Sequence, residues 1–281
     1  MRRCSPEDLV TFGVRFLTSK AVDPSNARVV AEIVVQTQAM GIHTHGLALF
    51  PYFHQNIPER VDPNGQPRLV RESGIGAVID GNFGFAQLAM RLAKEVAAAK
   101  AAKQGAALVT VRRCGWLGAL GPYLHSLTQQ GYLAQLWAQT TNCKDAAPHG
   151  GIDATFSTNP VALAIPTRGD PILADFSTTT ISMGKLKRMA QKGEQAPEPI
   201  FLDAQGSLSR DPRVALEGGS VLLVGGAHYG YKGYALSLWA EAIAALAGGE
   251  CNNPDTRISQ SVGLLVIDPR AFAGQDHFYG Q

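Results

Sequence analysis

The segment from Phe85 to Ala138 constrains the fold more than any other. An Ala-rich helix runs from Phe85 to Gln104 with Phe85, Leu88, Leu92 and Val96 as its apolar positions, and Gly105 closes it. Glycine just past a helix adopts a left-handed turn that a Cβ would resist, so it marks the stop. The apolar strand Ala106–Val111 follows at once, then a helix over Gly118–Gln130 with Gly131 behind it, and a strand over Tyr132–Ala138. Such interleaving points to a mixed α/β chain. Apolar residues make up 45% of the 281 and charged ones 17%, which excludes a disordered chain and allows a sizeable core.

The flanks carry clear local signals. Ser5-Pro6-Glu7-Asp8 supplies an N-cap, a first-turn proline and acids facing the helix dipole, so a helix is expected to about Thr18. A second helix opens near Asp23-Pro24-Ser25 and ends at Gly41. Residues 53–75 are rich in Pro, Asn and Arg and read as surface connection, followed by a short strand over Ala77–Gly81. Two strands lie around the Pro166–Pro171 turn, a basic helix spans Ile181–Gln191, and a strand with a hairpin-like turn covers Ile200–Gly206. A long helix, Gly233 to Ala247, and a strand over Val262–Ile267 complete the reading. Three interleaved segments are expected: 1–75 helical and on the substrate side, 76–231 holding the sheet and the cofactor region, and 232–281 packing back on the first.

Charge and cysteine usage exclude several classes. Lys and Arg total 25 against 23 acids, a net charge of +2, and no basic stripe marks a nucleic-acid binder. No apolar run approaches the ~20 residues of a membrane span, and the N-terminus turns acidic where a signal peptide would be apolar. A cytoplasmic location is expected. Cys4, Cys114, Cys143 and Cys251 lie far apart, which suits free thiols in a reducing compartment better than a zinc knuckle or a disulfide scaffold.

The chemistry-bearing motifs remain two-sided. There is no G-x-G-x-x-G after a strand, no phosphate-binding P-loop, no H-E-x-x-H and no G-x-S-x-G, so the common dinucleotide, nucleotide, zinc-protease and hydrolase sites are disfavoured. His43-Thr44-His45-Gly46 offers an acid/base imidazole beside an orienting hydroxyl, half of a metal site, or structural histidines. Asp175, at the end of Ile172–Asp175 before a hydroxyl run, is a strand-end functional acid or a surface residue. Ser157-Thr158-Asn159-Pro160 is a polar turn with or without a ligand. The glycine loop around Lys232 holds an anion or packs under its helix, and Lys185, Lys187, Arg188 and Lys192 form a solvated face or a phosphate patch.

Taken in order along the chain, seven stretches resemble the type-2 malate/L-lactate dehydrogenase family: Thr44-His45-Gly46, Asp80-Gly81-Asn82-Phe83-Gly84, Pro148-His149-Gly150-Gly151, Thr158-Asn159-Pro160, Asp175 with its hydroxyl run, Gly184-Lys185, and Lys232-Gly233-Tyr234-Ala235-Leu236. The resemblance implies an α/β (α+β type) non-Rossmann fold, a mixed, largely antiparallel sheet with flanking helices. It implies a homodimer binding NADPH or NADH and a small-molecule substrate. It makes His45 a proton donor with Thr44 and Asp175 as relay partners, and Thr140, Asp175, Phe176, Ser177, Lys185 and Lys232 cofactor contacts. Leu49 stands where relatives often carry a carboxylate-clamping arginine, and Trp116 where many carry a histidine. These two, with His149 and Thr158, are the expected substrate pocket. A less anionic, more apolar or cyclic substrate than malate is expected, a cyclic imine first and a 2-oxo acid next. The sequence ends at Tyr279-Gly280-Gln281, short of a tail that helps close the cofactor site in such enzymes. A member that has lost catalysis and binds a ligand or partner is the alternative. Many of the 30 glycines fall in these stretches or just after Trp116 (Gly46, Gly81, Gly84, Gly118, Gly150, Gly151, Gly184, Gly233) and are expected to line the cofactor cleft.

Overall fold

The computed structural model describes residues 4–250 and 256–281, so Met1–Arg3 and Cys251 lie outside the described residues. The first helix, α1 (Pro6–Thr18), starts with a complete capping box: Ser5 Oγ accepts from Asp8 N, and the Asp8 carboxylate accepts from Ser5 N. Helix α2 (Pro24–Ala39), capped by the Asp23 carboxylate, packs antiparallel to it, and a short α3 (Leu49–Asn56) completes a helical lobe. Leu17, Val30, Leu49, Phe50, Phe53 and Phe85 form its buried centre.

A hairpin, β1 (Arg68–Ser73) and β2 (Gly76–Asp80), leads into α4 (Ala86–Gln104), β3 (Ala106–Cys114), α5 (Gly121–Thr128) and β4 (Leu133–Thr140). Strands β5 (Val161–Ile165) and β6 (Ile172–Phe176) follow, then α6 (Met183–Lys192). A small three-stranded sheet is made by β7 (Phe201–Leu202), β8 (Leu208–Ser209) and β9 (Ser220–Val221), with α7 (Arg213–Leu216) against it. After α8 (Gly226–Tyr229) come α9 (Tyr231–Leu246), β10 (Gln260–Ile267) and α10 (Gln275–Tyr279).

The main sheet has seven strands in the order β1-β2-β3-β10-β4-β5-β6, antiparallel throughout except for the β2–β3 pair. Its centre is β10, registered by Gly263 opposite Thr110 on one side and Trp137 on the other. Small residues Ala86, Ala89, Ala93, Ala97 and Ala101 let α4 lie close to one face, where Leu264 and Val266 of β10 are fully buried. On the other face α9 covers Trp137 and Val161 with Ala240 and Ile243. A Cβ on Gly263 would fall inside the Ile243 side chain, so glycine here sets how closely α9 approaches. Each fully buried aliphatic side chain contributes about 1.5–3 kcal/mol, which makes this central seam the main stabilising region.

One expectation changes. Residues 68–73, read as connection, form edge strand β1; all six are exposed, so no alternation of apolar residues marks them. Of the three interleaved segments, the boundary at 75/76 lies in the β1–β2 turn, and the segment from 232 supplies β10, which pairs with β3 and β4.

Candidate active site

A cleft of about 1010 Å³ opens between the helical lobe, the loop before α5, the ends of β4 and β6, and α6. That is the upper end of the usual ~300–1,000 Å³ for small-molecule sites. His45 reaches it from the turn after α2. Its Nδ1 is 2.8 Å from Thr44 Oγ1, which leaves Nε2 as the ring nitrogen available to the cleft. His43 is turned away and exposed, with its Nδ1 2.6 Å from Gln38 Nε2. The two histidines therefore do not converge.

Asp175 closes β6 and faces the start of α5. Its Oδ2 accepts from the backbone N–H of Leu120 and of Gly121, both at 2.8 Å. Carboxylates are favoured at helix N-termini, where amides lack intrahelical partners. Its carboxyl is nevertheless raised above the ordinary range, because burial outweighs the two backbone hydrogen bonds and the pull of His45. Burial likewise lowers His45, while Asp175 works to raise it. The residue as a whole stays exposed on the open wall, so the burial is local to the carboxylate. Asp175 acts on His45 through its field, and no hydrogen bond joins the two.

Trp116 lines the cleft edge-on to His45, with ring centroids 5.8 Å apart, and edge-on to Tyr52 at 4.6 Å. The loop that carries it is held by Gln260, whose Oε1 accepts from Leu117 N at 2.7 Å while Nε2 donates to Thr140 Oγ1 at 2.9 Å. Gly118 sits in this loop at φ +80°, and a Cβ there would press to 3.0 Å from Leu49 Cδ1. Thr158, Thr140, Phe176, Ser177, Lys185 and Lys187 also line the cleft.

Other expected site residues lie elsewhere. Leu49 is 2% exposed in the helical lobe's core beneath the site and does not line the cleft. Its position therefore says nothing against an anionic substrate. His149 lines a separate pocket of about 250 Å³, in edge-on contact with Tyr231. Lys232 is exposed, its Nζ 5.5 Å from the Tyr229 ring centroid and outside the cleft lining. Of the eight glycines expected to line the cofactor cleft, only Gly118 and Gly184 do. Gly233 packs on the Val224 backbone, and Asp80-Gly81-Asn82 is a turn fixed by ion pairs from Asp80 to Arg112 and Arg113.

Sequence reasoning missed Tyr52, Arg60, Cys143 and Asp145, which line the cleft together with Lys187. Burial pushes the Cys143 thiol up to about 11 and the Asp145 carboxyl up to about 6, the latter against the pull of Lys187. No motif unites these residues. They come from α3, the loop after it, the loop after β4, and α6.

The site is a histidine held by a hydroxyl, in a cleft lined by two lysines and built on a largely antiparallel sheet, which places it outside the Rossmann class. Comparison with known proteins agrees. The family model for malate/L-lactate dehydrogenase matches residues 4–281. A malate dehydrogenase from Pyrococcus abyssi is 32% identical over 252 residues, 88% of this chain and 69% of that protein. A Δ(1)-pyrroline-2-carboxylate/Δ(1)-piperideine-2-carboxylate reductase from Pseudomonas syringae pv. tomato is 32% identical over 276 residues, 94% of this chain and 78% of that one. The crystal structure of the Δ1-piperideine-2-carboxylate reductase from the same organism superposes with a TM-score of 0.90 at 28% identity, covering 99% of this chain and 85% of its own. This chain belongs to the malate/L-lactate dehydrogenase family, whose members are NAD(P)-dependent dehydrogenases and reductases.

Proposed function

We propose that the protein reduces a small C=N or C=O substrate with NADPH, or NADH, as hydride source, a cyclic imine first and a 2-oxo acid next. The observation that carries this reading is His45, its Nδ1 tied to Thr44 and its ring facing a large cleft beside Asp175.

The residues present fit a nicotinamide dinucleotide. Helix α6 points its first turn at the cleft, and anions favour that end of a helix. Gly184 leaves the approach open, since a Cβ there would meet nothing nearer than Thr44 Cβ at 3.8 Å. Lys185 and Lys187 line the same wall and favour the extra phosphate of NADPH, whereas Arg188 and Lys192 do not line it. Phe176 and Ser177 would flank the cofactor, with Thr140 held by Gln260 at the strand end. When bound, the nicotinamide supplies a hydride to the substrate carbon.

The protein's own residues manage the proton. His45 gives it from Nε2 to the substrate nitrogen or oxygen as negative charge develops there. Thr44 fixes the ring's rotation through Nδ1, and Asp175 stabilises the imidazolium form that burial opposes. Trp116 and Tyr52 give the cleft an aromatic wall suited to a substrate with an apolar ring, which supports the cyclic imine. Replacing His45 by Ala is expected to lower turnover about 10²–10⁴-fold while NADPH, followed by fluorescence transfer, still binds. Unchanged turnover in that variant would refute the role. Steady NADPH oxidation by the parent enzyme across cyclic imines and 2-oxo acids would exclude a ligand-binding protein without catalysis.

The proposal extends to a cytoplasmic homodimer. Cys4, Cys114 and Cys143 are free thiols, which suits a reducing compartment. Leu238, Trp239 and Leu246 of α9 and Ile172 and Phe176 of edge strand β6 are exposed, a face and an edge that a second copy would cover. No described helix is long and apolar enough to cross a membrane.

A further inference from the structure

The chain between β3 and α5 positions both groups that bear on His45. Trp116 lies edge-on to the imidazole, and the amides of Leu120 and Gly121 hold Asp175. Polar side chains from three separate elements fix this loop. Gln260 of β10 accepts from Leu117 N, and Tyr123 of α5 donates its hydroxyl to Leu117 O at 2.7 Å. Gln87, in the first turn of α4, donates Nε2 to Trp116 O at 3.2 Å and to Leu117 O at 3.3 Å. Among the described residues it alone donates to Trp116 O. Gln87 is 1% exposed, and its Oε1 is buried without a partner among the described residues. A buried amide with one end unpaired carries a cost that an aliphatic side chain of the same length would avoid. Packing of α4 does not account for it, whereas holding the Trp116 carbonyl does.

We propose that Gln87 is a positioning residue for the proton donor, holding the Trp116–Leu117 backbone from behind the cleft so that the Trp116 ring stays against His45. The inference rests on the reductase reading of the cleft and adds to it a residue that does not line the cleft. Trp116 is an apolar wall beside the imidazole, so the dryness of His45 depends on where the loop puts that ring. With the carbonyls released the loop loosens, the wall draws back and water reaches His45. The imidazole then titrates closer to its ordinary value, because burial is the largest influence on it and works downward. Loss of Asp175 moves it the opposite way, so sign alone tells the two effects apart. Besides Asp175 on β6, the titratable groups around the cleft are Tyr52 on α3, Glu59 and Arg60 after it, Cys143 and Asp145 after β4, and Lys185 and Lys187 on α6. A change at Gln87 leaves all of them in place.

The test compares Gln87→Met, which keeps the length and loses the donors, with Val266→Ala, a control in the buried β10 seam away from the cleft. Both are expected to lower stability in urea melts, so a purely structural role predicts the same behaviour for both. Ring-proton NMR on the full chain without substrate titrates the seven histidines, and His45→Ala identifies the His45 signal. In Gln87→Met the His45 midpoint rises by about 0.5 in pH, while Val266→Ala matches the parent. In turnover assays of Gln87→Met, kcat falls about tenfold, less than the roughly 10²-fold that a 1 Å misplacement can cost. The KM for NADPH is held, and the alkaline limb of kcat/KM moves to higher pH. A His45 midpoint that stays with the parent in Gln87→Met overturns the proposal. So does one that falls, or one that moves equally in Val266→Ala. Gln87→Leu is read in the same way if Gln87→Met does not fold. If no imine or 2-oxo acid is turned over, the reductase reading fails, and the titration still decides whether Gln87 holds the wall against His45.

Discussion

Asp175 does two things at once, and two substitutions separate them. Its Oδ2 satisfies the Leu120 and Gly121 amides, and its charge raises His45. Alanine removes both, whereas asparagine keeps a carbonyl oxygen for the amides and removes only the charge. A hydrogen bond to a charged group contributes about 1.5–3 kcal/mol net, but water reaches this open wall, so Asp175→Ala is expected to destabilise by about 1–2 kcal/mol in total. At roughly 2–4 °C per kcal/mol for a chain of this size, Tm falls by about 2–8 °C. Asp175→Asn keeps an acceptor for the amides and removes a charge that burial opposes, so it should be near neutral or slightly stabilising at neutral pH. The electrostatic effect is the same in both variants. Reduction requires the imidazolium, burial already lowers His45, and without Asp175 it falls further. Activity is present below the His45 pKa and lost as pH rises through it, so the alkaline limb of kcat/KM moves to lower pH in both variants by the same amount. Denaturant melts and pH–rate profiles read the two effects independently. An Asn variant whose alkaline limb stays with the parent would refute the coupling, whatever its stability.

Asp145, pushed up to about 6 by burial, keeps its proton in the folded state over a window where the unfolded carboxyl, ordinarily near 3.8, has lost it. Stability therefore falls as pH rises from about 4 to about 6, and Asp145→Asn should add about 1–2 kcal/mol at neutral pH and nothing measurable near pH 4; an equal gain at both pH values in urea melts would count against this. Gln260→Ala leaves the Leu117 amide without its acceptor and frees Thr140, and should reduce stability by about 1–3 kcal/mol in urea unfolding. The proposed homodimer is tested by Trp239→Glu, which charges the exposed face of α9: light scattering should show a dimer mass for the parent and half of it for the variant, with circular dichroism unchanged, and a monomeric parent would refute the proposal.

Local chemistry made parts of this molecule legible. The Ser5 capping box, Gly105 at φ +81° and the Asp203–Ser207 turn between β7 and β8 all follow from side chains satisfying nearby backbone. Helix α3 was illegible because no side chain caps its start at Ala48; its helicity comes from burying Leu49, Phe50 and Phe53. Edge strand β1 is fixed by pairing with β2 rather than by its own apolar pattern. At the site, Thr44 and His45 could be read because they are neighbours in sequence and in space. His149 and Lys232 could not be placed, because where a glycine loop goes is decided by the helix it packs under. Arg60 stood in a stretch that looked like plain connection, and only the path of the chain after α3 brings it beside Tyr52.

The position of β10 has a consequence for how the protein is made. Every other strand of the seven precedes it in sequence, yet it separates β3 from β4, so neither half of the sheet can find its partner until residues 260–267 have been synthesised. On the ribosome, β3 and β4 must wait with open, apolar edges, which makes folding slow and puts the nascent chain at risk of aggregation. Gln260, the first residue of that strand, also ties the Trp116 loop to Thr140. The strand that closes the sheet is thus the one that ties down the cleft's Trp116 loop.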